Sequence, residues 1–116
     1  MAFGGSCHCG GMAFAVDGDM PTAGMACNCS HCGRKGFILT FVPAETFRLE
    51  KGAELLTRYM FNKHRIEHLF CRDCGVQAFA EGKMPDGSPM RAINLRCVDG
   101  IDVDALEIEH VDGKSF

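Results

Sequence analysis

Cys27-Asn28-Cys29-Ser30-His31-Cys32 is the stretch that decides how the chain is read. Three thiols fall within six residues, and Gly33-Arg34-Lys35-Gly36 follows directly. Sulfurs this close can share one metal ion, yet a structural zinc takes four ligands. Either a fourth group comes from elsewhere in the chain, or the position stays open to water, substrate or an incoming thiol. An open position distinguishes a catalytic zinc from a structural one.

Working outward, two further cysteine pairs flank this stretch at a distance. The first is Cys7-His8-Cys9-Gly10-Gly11 and the second Cys71-Arg72-Asp73-Cys74-Gly75. The glycines permit positive φ, so each pair can turn tightly and aim two thiolates at one point. With Cys97 the chain holds eight cysteines in 116 residues, which forces a choice between disulfides and metal. The segment Met1 to Cys7 has no basic region and no apolar core, so it does not read as a signal peptide. No apolar run approaches the length of a membrane span. The expected location is therefore cytoplasmic, with no membrane association, and clustered cysteines there favour metal over disulfides.

The simplest closed site joins the two outer pairs, Cys7, Cys9, Cys71 and Cys74. Four thiolates give a zinc a formal charge of about -2, which makes it a poor Lewis acid and points to a structural role. Cys27, Cys29 and Cys32 remain as a three-sulfur set. Candidate fourth ligands are His31, His8 and Cys97. His31 adjoins Cys32, which makes joint ligation awkward, and Cys97 reads as a small buried hydrophobe on a strand. An open three-thiolate zinc suits one chemistry above others: it lowers the pKa of an incoming thiol and holds it as a nucleophile. Arg34 and Lys35 are positioned to attract a substrate carboxylate, or form an ordinary solvated turn. His31 and His64 are the candidate general acids, and His64 and His68 lie four apart on one strand face.

The spacing of apolar residues predicts eight or nine short strands with little helix. They cover residues 3–7, 12–16, 37–42, 46–49, 55–61, 65–70, 76–80, 90–98 and 106–111. The run 37–42 is apolar on both faces and reads as a doubly covered central strand. Residues 62–64 read as a turn, 81–89 as a surface loop, and Asp102 as the N-cap of a single helical turn. The fold class is mostly β, with two small antiparallel sheets held partly by metal, in one domain over residues 1–116. The net charge of -3 disfavours nucleic-acid binding.

Cys7-His8-Cys9-Gly10, Cys27 to Cys32, Phe70-Cys71-Arg72-Asp73-Cys74-Gly75 and Asn94-Leu95-Arg96-Cys97 occur in this order. Together they resemble the glutathione-dependent formaldehyde-activating enzyme family, which includes centromere-protein-V-type proteins. The resemblance spans residues 4 to 111. It implies a zinc-bearing β fold like that of a Rab nucleotide-exchange factor. It also implies a structural zinc on Cys7, Cys9, Cys71 and Cys74, and a second zinc on Cys27, Cys29 and Cys32 near a glutathione site. The implied activity is condensation of glutathione, as co-substrate, with formaldehyde to S-hydroxymethylglutathione, a carbon–sulfur lyase in the reverse direction. The rival expectations are a non-enzymatic zinc module that binds a protein partner, and a redox protein using Cys71 and Cys74. The second is weaker, because thioredoxin-type pairs open a helix and a strand follows here.

Overall fold

Met12, Phe14 and Val16 alternate with smaller residues, and all three are fully buried, as a strand covered on one face requires. A computed structural model of the chain describes residues 1–61 and 66–112. Among these, ten strands form: β1 (Ala2–Ser6), β2 (Ala13–Asp17), β3 (Ala23–Cys27), β4 (Leu39–Pro43), β5 (Phe47–Lys51), β6 (Leu56–Tyr59), β7 (Glu67–Cys71), β8 (Phe79–Lys83), β9 (Pro89–Asn94) and β10 (Glu107–Val111). One α-helix, α1 (Ser30–Lys35), follows β3. Short 3-10 turns occupy Ala44–Thr46, Ala53–Leu55, Leu95–Cys97 and Val103–Ala105. The fold is mostly β, as expected.

The strands make two sheets. One has the order β1-β2-β5; the other has seven strands in the order β10-β3-β4-β9-β8-β7-β6. All pairings are antiparallel except β10 with β3, which run parallel from Glu107 opposite Ala23 to Val111 opposite Cys27. The inner faces meet in one core, where Phe14 stacks on Phe47 at 5.6 Å between centroids and Phe47 tilts against Phe79 at 4.7 Å. Ile93, Leu95 and Cys71 are fully buried in the same cluster.

Several expectations need correction. The larger sheet has seven strands and one parallel pair, so it is neither small nor wholly antiparallel. Strand β3 was not expected, because Ala23, Gly24 and Ala26 give no apolar alternation. Its close packing explains the small residues: a Cβ on Gly24 would come within 2.5 Å of Ile38 Cγ2 and 2.9 Å of Leu95 Cδ1. The run at 37–42 is not a doubly covered strand. Phe37 and Ile38 are buried ahead of β4, at the end of α1, while Phe41 is 39% exposed.

In β7, Leu69 and Cys71 face the core, and Ile66, expected there, lies outside the strand and exposed. Residues 76–78 are not strand; β8 begins at Phe79 and takes Glu81 to Lys83 out of the expected loop. The strand expected at 90–98 ends at Asn94, whose side chain accepts the N–H of Arg96 and closes a 3-10 turn. Asp102 does cap a helical turn, accepting from Asp104 N at 3.1 Å. The turn expected at 62–64, residue 65 of the next strand, and His64 itself fall outside the described residues.

Candidate metal centres

The two outer cysteine pairs sit in matching backbone turns. Cys7 N–H donates to Met12 O at 3.3 Å, and Cys71 N–H donates to Val76 O at 3.0 Å. Inside these turns Gly10 N–H returns to Cys7 O and Gly75 N–H to Cys71 O. Gly10 and Gly75 have φ of 76° and 80°, which a side chain would resist. The first turn follows β1 in the small sheet and the second follows β7 in the large one, so the four sulfurs meet between the sheets.

Their geometry matches a tetrahedral thiolate site. Cys7 and Cys9 Sγ are 3.5 Å apart, and Cys9 and Cys71 Sγ are 3.7 Å apart. Zn–S bonds of about 2.3 Å in a tetrahedron place sulfurs about 3.8 Å apart. All four atoms lie within 4.8 Å of one another and can hold a metal ion. The charges of this set are divided unevenly. The backbone N–H groups of Cys9 and Val76 bring Cys74 down to about 6. Gly11 N–H favours the Cys9 thiolate, but the sulfurs of Cys7 and Cys71 outweigh it and push Cys9 up to about 12. Thiolates this close repel one another, and a cation at their centre removes that repulsion.

The second set is built on α1. Cys29 is the N-cap, and its sulfur accepts the N–H of Cys32 at 3.2 Å. Cys27 ends β3, one turn before it. The sulfurs of Cys27, Cys29 and Cys32 lie within 4.8 Å of one another. Among the described residues no His, Asp, Glu or fourth Cys joins them. Burial raises Cys29, but the N–H groups of Cys32 and His31 outweigh it and hold its thiol below the usual value. Burial, together with the charges on Cys29 and Cys27, pushes Cys32 up to about 12. A cleft of ≈ 590 Å³ opens beside this set, with Cys27, Cys32, Phe37, Ile38 and Arg96 in its wall.

A sequence profile of the glutathione-dependent formaldehyde-activating enzyme family matches residues 2–109. The chain belongs to that family. A crystal structure of a Rhodobacter sphaeroides protein is also similar, with a TM-score of 0.78 and 27% sequence identity. The match covers 94% of this chain and 100% of that one.

The remaining candidates of this formaldehyde-activating-type chain are distributed as follows. Cys97 lies outside both sulfur sets, with Asn94 Nδ2 at 3.6 Å. Burial first, then the charges of Cys7 and Cys74, pushes its thiol up to about 11. His8 is exposed and joins neither set. Arg34 is exposed and donates to Ser30 O at 2.8 Å. Lys35 donates to Gln77 Oε1 at 3.2 Å and lies over the rings of Phe37 and Phe70. Neither basic side chain lines the cleft.

His31 points into a ring cluster, with His68 at 4.1 Å, Phe61 at 5.1 Å and Tyr59 at 5.7 Å between centroids. Both ring nitrogens of His31 are buried and have no hydrogen-bond partner among the described residues. Burial and the charge of Lys35 hold it below the usual imidazole value. His68 accepts from Gln77 Nε2 at Nδ1, at 3.2 Å, and burial with the charges of His31 and Lys35 brings it to about 4. Sequence reading passed over Gln77 and Arg96. The signal for Arg96 was present in Asn94-Leu95-Arg96-Cys97, but nothing in the sequence placed it beside Cys27 and Cys32.

Proposed function

We propose that the chain is a zinc-dependent carbon–sulfur lyase. It forms or cleaves an adduct between glutathione and an aldehyde, of the S-hydroxymethylglutathione type. The observation that carries this reading is the set Cys27, Cys29 and Cys32: three converging sulfurs, no fourth ligand among the described residues, and a cleft beside them. Zinc held by three thiolates supplies a centre that lowers the pKa of an incoming thiol and keeps it nucleophilic.

The chain's own residues position the reaction. Cys29 is fixed by its capping bond to Cys32, so the sulfurs are pre-organised on a short rigid element. Phe37, Ile38 and Ile108 give the cleft an apolar wall that limits water around the sulfurs. In the forming direction the thiol sulfur bonds to the aldehyde carbon, and the thiol's proton ends on the aldehyde oxygen. Cleavage reverses both changes. Holding the two reactants together is the main gain available. Arg34 and Lys35 add positive charge at the end of α1, drawing an acidic thiol to this part of the surface. Cys7, Cys9, Cys71 and Cys74 serve as a structural zinc site. Eight thiols suit a reducing compartment, and we place the protein in the cytoplasm.

The test counts zinc per chain under reducing conditions, with and without glutathione and a competing chelator. The expected result is two zincs, one of them labile with a loss rate that glutathione changes. One tightly held zinc that glutathione leaves unchanged would overturn the enzymatic reading in favour of a non-enzymatic zinc module.

A further inference from the structure

We infer that Arg96 is the specificity residue of the cleft. It receives a carboxylate of the thiol substrate, while the sulfur end lies at Cys27, Cys29 and Cys32. This inference rests on the thiol-binding reading given above.

The argument begins with how Arg96 is held. Asn94 is 7% exposed, and its Oδ1 accepts the N–H of Arg96 at 3.1 Å. Its Nδ2 donates to Gln77 O at 2.9 Å. The 3-10 turn that carries Arg96 is thereby tied to a buried part of the sheet. The side chain is fixed as well: Arg96 Nε donates to Gly36 O, just past the end of α1, at 2.9 Å. One of five guanidinium N–H donors is used, which leaves a planar fork for an acidic group. Among the described residues Arg96 has no carboxylate partner. The four ion pairs of Arg48, Arg58, Arg72 and Arg91 lie elsewhere.

Position gives the second part. Arg96 shares the cleft wall with Cys27 and Cys32, whereas Arg34 and Lys35 do not reach it. Cys29 caps the start of α1, Cys32 lies within it, and Arg96 is tied to Gly36 O just past its end, so Cys32 and the guanidinium border one cleft. The volume of ≈ 590 Å³ suits a ligand of about tripeptide size. The ligand is thus an acidic thiol whose carboxylate reaches Arg96 while its sulfur lies at the three cysteines.

Calorimetric titration of the zinc-loaded chain tests this with glutathione, glutathione diethyl ester and S-methylglutathione. The chain is compared with Arg96→Ala and Arg96→Lys, with folding checked by circular dichroism. The expected result is about a tenfold or greater loss of glutathione affinity in Arg96→Ala. Affinity for the diester should change less than about twofold, and Arg96→Lys should recover part of the loss, as a point charge without the fork would. Equal affinities for glutathione and its diester, with neither altered in Arg96→Ala, would overturn the role of Arg96 and leave thiol binding standing. Arg96-dependent binding of S-methylglutathione, with no further gain from the free thiol, would support Arg96 and overturn thiol binding at the sulfurs. Failure of all three ligands to bind would overturn both.

Discussion

His68 shows how one residue's surroundings set a measurable property of the whole chain. It is 6% exposed on β7, against His31 and Phe61, with Lys35 on α1 nearby. Its pKa falls from 6.5 to about 4, chiefly through burial. A depressed histidine pKa means that the unfolded chain takes up the proton first. Between pH 6.5 and 4 the unfolded state binds more protons, so stability falls as pH falls through that window and is fully present above it. The expected contribution is on the order of 2–3 kcal/mol by pH 4. Loss of metal in acid adds to the wild-type slope, so the comparison is with His68→Gln, which can keep a bond to Gln77. Denaturant melts at pH 7 and pH 4.5 should show a steeper acid loss in the wild type than in the variant. Parallel curves would mean that His68 titrates normally. The neighbouring His31 bears a different cost, since both its nitrogens are buried with no partner among the described residues. A buried polar group in that state costs about 1–3 kcal/mol, offset here by its ring contacts.

Among the elements, β1 and α1 make opposite demands on glycine. Gly5 of β1 bridges Val98, and a Cβ there would collide with the backbone carbonyl of Cys97. This is where the small sheet meets the turn that carries Arg96. Gly5→Ala should therefore destabilise by about 2 kcal/mol through overpacking, lowering Tm by on the order of 10 °C. Gly33 lies inside α1, and a Cβ there would meet nothing closer than 3.6 Å. Gly33→Ala should be neutral or stabilising by up to about 1 kcal/mol, because alanine favours helix. Thermal melts of the two variants check both directions, and equal shifts would refute the contrast.

The same elements show what the sequence could and could not reveal. The alternation in β2 and the capping role of Asp102 were legible, because each is a local pattern. Both cysteine sets were legible because spacing restricts where thiols can converge. Helix α1 was hidden, since its six residues have no buried side-chain stripe to betray a helical period. Strand β3 was hidden by its small residues. The pairing of Cys27 and Cys32 with Arg96 was hidden because it depends on Gly36 O meeting a guanidinium 60 positions later.

For the whole molecule, the decisive question is what each sulfur set does for stability. Cys7 and Cys9 follow β1, and Cys71 ends β7, so a metal on this set joins the two sheets across the core. The three-sulfur set instead gathers Cys27 with residues of α1, all close in sequence, and crosses no such divide. Loop-closure entropy grows with the length of chain enclosed, so a metal linking residues 62 apart stabilises more than one linking neighbours. Cys9 is the informative cysteine to replace. Its side chain is exposed, so Cys9→Ser removes a sulfur without opening a core cavity. Cys9→Ser should lose one zinc and several kcal/mol of stability, and Tm should fall by about 10–20 °C. Cys29→Ser should also lose one zinc, yet shift Tm by no more than a few degrees, on the order of a lost cap. Zinc analysis and melts of both variants decide the matter. Similar losses of Tm would show that the three-sulfur set also holds the fold together, and a Tm unchanged from the wild type in both would show that neither set does.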